Sequence, residues 1–193
     1  MDHEEARTRL LDAAERLFYE RGIQTVAMDE LRAASGVSLK RLYQCFPSKT
    51  DLVEEYLRRR DESWRAELSE YVDRTATTPE GRLSAVFDWL YAWLAGPGSR
   101  GCAFINSFGE LGATADGVAR AARDHKRAVR EQLTDITRDL GADDPSALAE
   151  QLVLLIDGAI TTAAISGDPT PARHARAAAE TLATAAAARA PRA

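Results

Sequence analysis

Cysteine is scarce in this chain: two among 193 residues, Cys45 and Cys102, far apart and outside any metal-ligand spacing. No thiolate metal site is expected from them; they agree with a reducing compartment and read as packing residues. Alternating β-branched runs and Asn-Gly hairpins are absent while alanine occurs throughout, so the chain reads as all-α. Long apolar runs are missing as well. The best, LVLLIDGAITTAAI at 152–165, is 14 residues and carries Asp157, short of the roughly 18 to 20 a spanning helix needs. It reads as a buried helix, and no membrane partner is expected. The opening MDHEEARTRLLDAAE is acidic and amphipathic, where a secretion signal would be basic and then continuously apolar, so a cytoplasmic location is expected. Nor is there a GxSxG elbow, an HExxH, a Walker loop or a GxGxxG. The three histidines, His3, His125 and His174, stand alone. Asp124 and His125 are adjacent, which on a helix turns them about 100° apart and makes no dyad. Catalysis, a metal and a cofactor are therefore not expected.

With 45% apolar and 28% charged residues, the chain suits a soluble globular protein of one compact domain, or a small domain fused to a larger one. Its net charge of −5 looks wrong for a nucleic-acid binder, but the distribution matters more than the total. Residues 1–60 hold 11 Lys+Arg against 11 Asp+Glu, so the acid excess lies wholly beyond them. The stretch GVSLKRLYQCFPSK contains Lys40, Arg41 and Lys49 and no carboxylate.

Punctuation and periodicity divide the chain into about nine helices. The first spans about 4–20, with Leu10, Ala14, Leu17 and Phe18 on one face and Gly22 as a left-handed cap. Two short ones follow at 27–34 and 38–44. Ser48 caps a longer helix running to about Tyr71, and Thr78-Pro79 opens one ending at the glycine-rich loop 96–101. Others cover about 102–111, 114–140, 145–166 and 171–189.

Two short helices joined by a glycine-containing turn, the second carrying cations and hydroxyls, fit a helix-turn-helix whose second helix enters the DNA major groove. Gly36 allows the sharp turn, Leu31, Val37 and Leu42 face inward, and Ser38 caps the second helix. Leu39, Lys40, Arg41, Tyr43 and Gln44 are left for DNA.

Residues 10–53, LLDAAERLFYERGIQTVAMDELRAASGVSLKRLYQCFPSKTDLV, resemble the N-terminal DNA-binding region of the TetR (tetracycline repressor) family, through AxxLFxxxG followed by GVSxxxLYxxFxSK. The resemblance implies a homodimeric transcriptional regulator of operator DNA, usually a repressor released by a small molecule. It divides the chain into a reader, 1–45, and a ligand-binding and dimerisation body, 46–193. It also sends Tyr43 and Lys49 to the phosphate backbone, and puts Lys40 and Arg41 where bases or phosphates are met. Gln44 has the amide to read an adenine edge. The pattern departs at Ala27, where a capping serine or threonine is usual; Thr25 is the substitute. Leu39 stands where a polar residue is common, leaving a thymine methyl or mere backbone cover as its roles. An activator, a ligand-independent regulator, or a helical protein-interaction module are the other readings.

A ligand site would be lined by aromatics with a few polar groups. Trp64, Phe87, Trp89, Trp93, Phe104 and Phe108 are the candidates, with Asn106, His125 and Asp157 as polar ones. Asn106 has helix-internal hydrogen bonding as its plain alternative, and His125 a place in the core. Asp157 caps a helix, pairs across a dimer, or faces the pocket. For the dimer, Leu152, Leu155, Ile156, Ala159 and Ala163 on one helix and Ala175, Ala179, Leu182 and Ala186 on the next form the candidate faces. Closure of the chain's own core is the alternative use of both.

Overall fold

Most helices of this chain start where a side chain satisfies backbone N–H groups that have no partner within the helix, or where proline removes one. The computed structural model describes residues 2–189, among which nine helices and no strand occur. Asp2 accepts from Glu5 N ahead of α1 (His3–Arg21). Ser38 accepts from Arg41 N at 3.3 Å ahead of α3 (Leu39–Cys45), which follows α2 (Met28–Ser35). For α4 (Lys49–Thr75), Ser48 Oγ accepts from Asp51 N while Asp51 accepts from Ser48 N, a reciprocal cap. Thr78 and Asp144 do the same work before Pro79 and Pro145, which open α5 (Pro79–Leu94) and α8 (Pro145–Ser166). α6 (Ala103–Leu111), α7 (Asp116–Asp139) and α9 (Pro171–Arg189) complete the set. Their limits follow the sequence expectations closely. α4 is the exception, running to Thr75 rather than Tyr71, because nothing in VDRT breaks a helix and Val72 is buried.

Packing divides the chain into two compact units: residues up to Ser63 with Ala103–Asp124, and Trp64–Cys102 with residues from His125 on. In the first, α1 packs on α2 and α3. Leu10, Ala14, Leu17 and Phe18 of α1 are buried, as are Leu31, Val37 and Leu42, the three residues expected to hold α2 and α3 at their angle. Phe18 meets Tyr56 of α4 edge-on at 5.7 Å. In the second unit, α5, α8 and α9 pack on one another. The alanine stripe of α9 (Ala172, Ala175, Ala179, Ala183 and Ala186) is buried, and small residues there permit close helix approach. Arg176 of α9 ties Asp88 of α5 at 2.6 Å. Both cysteines are buried and free.

Gly36 ends α2 at φ +67°, ψ +17°, the left-handed region that glycine enters without penalty. Nothing lies within 4 Å of where a β-carbon would sit. Gly36→Ala therefore costs only conformational strain, about 1 kcal/mol, whereas Leu42→Ala, emptying a fully buried site, costs about 2–5 kcal/mol. Thermal melting of the two variants should rank them in that order.

Candidate nucleic-acid interface

The connection from α1 to α2 differs in detail from expectation. Gly22 has φ +85° but ψ +151°, so it is a glycine-only extended bend rather than a left-handed cap. Thr25 does not cap α2: its hydroxyl donates to Arg21 O at 2.8 Å and Gly22 O at 3.1 Å, back into α1. Ala27 occupies the cap position without a side-chain oxygen. Only the return half of a capping box exists there, Glu30 Oε1 accepting from Ala27 N at 3.4 Å. Glu30 is also bonded to Arg21, which holds its carboxyl below the usual range, with the Ala27 N–H adding to the effect.

α3 has seven residues and buries only Leu42 and Cys45. The other face is open: Leu39 is 51% and Tyr43 48% exposed, and Ser38, Lys40 and Gln44 are exposed beside them. Arg41 is half-buried. Among the described residues Lys40 and Arg41 form no ion pair, whereas Arg32 of α2 is held by Asp29 at 2.6 Å. The surface of α3 thus offers two uncompensated cations, an amide, a phenol and an apolar side chain, with no carboxylate in the helix. Its far end is anchored by Phe46, 2% exposed, under the guanidinium of Arg7 at 4.8 Å.

Lys49, expected at phosphate, has an internal partner: its ammonium donates to Ile23 O at 2.5 Å and lies 5.9 Å from the Phe18 ring centre. Burial lowers its pKa, opposed by Glu110 and Glu30.

Sequence models of two kinds match this arrangement. The model for bacterial regulatory proteins of the tetR family covers residues 10–56, and that for the tetracyclin repressor-like C-terminal domain covers residues 79–179. The chain belongs to the TetR family. It is 31% identical to an HTH-type transcriptional regulator of Mycobacterium tuberculosis, over 86% of this chain and 93% of that one. A TetR-family transcriptional regulator from Streptomyces coelicolor superposes with a TM-score of 0.86 at 31% identity, covering 95% of this chain and 97% of the other. A TetR-type regulator from Streptomyces avermitilis gives 0.81 at 30% identity over 94% and 97%. The protein is accordingly a DNA-binding transcriptional regulator and not an enzyme.

The residues expected to bind a ligand in this TetR-family protein are divided between the two units. Trp64, Trp89, Trp93 and His125 do come together in the second unit. Trp64 meets Trp89 at 4.9 Å, His125 at 5.4 Å and Trp93 at 6.1 Å, all edge-on, while Trp89 and Trp93 stack. All four are buried, so they fill space against one another. Phe87 is core. Phe104, Asn106 and Phe108 belong to the first unit. Asn106 is exposed, which removes the premise of a buried amide, and Phe108 is 50% exposed. A cavity of about 530 Å³ in that unit is lined by Arg7, Glu55, Arg58 and Arg120 among others; Phe104 alone of the nine candidates reaches it. Asp157 pairs with Lys126 of α7 within the same chain.

Most of the residues expected at a dimer face are buried within the single chain. Leu152, Ile156, Ala159, Ala163, Ala175, Ala179 and Ala186 are all buried, and Leu155 and Leu182 are half-buried. Helical periodicity finds an apolar stripe but not what covers it, and here α5, α8 and α9 cover one another. Sequence reasoning missed the opposite face of α8, where Leu154 is 72% and Ile165 83% exposed. The signal was present: α8 carries apolar residues on more than one face, and by length and composition it passes as a membrane span, though only 39% of that window is buried.

Ser38→Ala removes the cap of α3 while leaving its buried face intact; a loss of about 1 kcal/mol is expected in chemical denaturation, with helix content at 20 °C nearly unchanged.

Proposed function

We propose that the protein is a homodimeric repressor that holds two-fold-symmetric operator DNA through α3 and is released by a small molecule. The observation that carries the reading is the open face of α3, with Lys40 and Arg41 free of ion pairs and no acid nearby in the helix. Backbone phosphates supply most of the affinity of such readers, and base edges the choice of sequence. Lys40 and Arg41 take phosphates or bases, Tyr43 a phosphate, Ser38 the approach of the helix start, and Gln44 an adenine edge. Leu39, half exposed with no polar atom, suits a thymine methyl. Residues 1–45 are the reader in this division by function.

One reader makes few phosphate contacts, so a pair is needed, set about 34–36 Å apart on half-sites one helical turn away. The outward stripe of α8 supports a second copy as the occupant. Leu154, Gly158, Thr161 and Ile165 recur at helical spacing on its exposed side, and Ala177, Thr181 and Ala185 do the same on α9. Two large apolar residues flank small ones, so another copy's helices can approach closely and bury what water now meets. In the second unit an effector that opens the packed tryptophan cluster would meet an apolar lining beside His125 and the Lys126–Asp157 pair, the few polar groups a small molecule requires. Release follows if the effector binds better to a conformation that misfits the half-sites.

Selection of duplexes from a random pool by the purified protein tests the reading, a two-fold-symmetric consensus being expected and no enrichment counting against it. On that duplex, Lys40→Ala should lower the slope of log affinity against log salt by about one per subunit; an unchanged slope would take Lys40 off the phosphates. Ile165→Arg should shift sedimentation from dimer to monomer at micromolar concentration. All three tryptophans of the chain lie in one cluster, so a compound that releases DNA should also change the intrinsic emission, whereas release with unchanged emission would move the effector elsewhere.

A further inference from the structure

The turn that launches α2 is gripped by a residue far from the reader in sequence. Glu110, in the last turn of α6, accepts from Ile23 N through Oε1 at 3.1 Å and from Gln24 N through Oε2 at 2.8 Å. Its own carbonyl accepts from Gln24 Nε2 at 2.6 Å. On the other side of the same peptides, Lys49 Nζ donates to Ile23 O at 2.5 Å. Within the turn itself the backbone offers little, a bond from Val26 N to Ile23 O at 3.3 Å. Gly22 belongs to the arrangement, because a β-carbon there would sit 3.1 and 3.3 Å from the two Glu110 oxygens, at a φ that disfavours side chains in any case.

A surface carboxylate on a loop is usually a weak tie. This one differs in three respects. It is half-buried, both its oxygens are used on successive peptides, and α2 has no side-chain oxygen at its own cap, Ala27. Hydrogen bonds from backbone N–H to a charged acceptor are the stronger kind. What would otherwise fix the path from α1 into α2 is the burial of Ile23 and Val26, the Thr25 hydroxyl turned back onto α1, and the exposed Arg21–Glu30 pair.

We propose that Glu110 is a positioning residue for DNA binding: by holding the 22–25 turn against α6, with Lys49 gripping it from the other side, it sets the angle at which α2 and α3 leave α1. The inference rests on the reading that α3 enters the groove. A reader whose angle is held loosely spends part of its binding free energy on being ordered, so operator affinity depends on a side chain that touches no DNA.

The test uses the full chain and the duplex enriched by the wild-type protein, with Glu110→Ala, the near-isosteric Glu110→Gln, and Glu131→Ala as a charge control on the exposed face of α7. Loss of an acid from a chain of net charge −5 would by charge alone strengthen DNA binding. Glu110→Ala should instead weaken it about tenfold, the scale of one hydrogen bond to a charged group, at unchanged salt slope since no phosphate contact is lost. Glu131→Ala should bind as tightly as wild type or tighter. Hydrogen exchange followed by NMR should show the Ile23 and Gln24 amides losing protection in Glu110→Ala while those of α3 keep theirs, and Glu110→Gln, with one oxygen left, should fall between. Should Glu110→Ala fold poorly, Glu110→Gln carries the comparison alone. Unchanged affinity in a folded variant, or wild-type Ile23 and Gln24 amides that exchange as fast as those of the variant, overturns the proposal and leaves α3 as the reader. Failure of the wild-type protein to enrich any duplex overturns both.

Discussion

A seven-residue helix has no stability of its own in water, because nucleation costs more than so few hydrogen bonds return. α3 therefore exists because Leu42, Val37 and Leu31 are sunk completely between α1 and α2. Everything a reader needs follows from that wedge. With the inner face used entirely for burial, the outer face is free to carry Leu39, Lys40, Tyr43 and Gln44, none of which contributes to the core. The left-handed turn at Gly36 makes the geometry reachable, and the Ser38 cap ends it cleanly.

The same wedge explains why an acidic protein can approach DNA. Net charge acts at long range and is screened within about 10 Å in ordinary salt, so contact is decided by the charges that come nearest. In the first unit several other cations are spoken for: Arg7 by Glu55, Arg21 by Glu30, Arg32 by Asp29, Arg59 by Asp12 and Glu15. Lys40 and Arg41 on α3 are not, and among the described residues Arg16, Arg120 and Arg123 are also without an ion pair. With no carboxylate on α3 to offset them, Lys40 and Arg41 keep that face positive without making the chain basic.

Helix positions were readable because each carries local chemistry: Ser48, Thr78-Pro79 and Asp144-Pro145 at starts, Gly36 and Gly167 at ends. The inward residues of the reader were readable for a related reason, since in so short a helix only one face can be apolar. The aromatic cluster was half legible. Trp64, Trp89, Trp93 and His125 were among nine expected ligand residues, but no spacing rule told a pocket lining from a filled core, and Phe104, Asn106 and Phe108 fell in the other unit. Glu110 left no trace at all, being one acid among thirty on a helix with no motif of its own.

By itself the sequence determined about nine helices, a short helix with cations and no carboxylate within residues 36–50, and family membership, all matters of nearest neighbours along the chain or of periodicity on one helix. Tertiary structure alone decided which stripe of α8 meets water, that Asp157 answers Lys126, that Lys49 turns inward to Ile23, and that a carboxylate on α6 holds the entry to α2. The division has a physical cause. Capping and turn formation involve atoms within about four residues, whose relation the covalent chain already dictates, whereas a contact across 87 residues depends on how whole helices pack, and periodicity leaves that choice open.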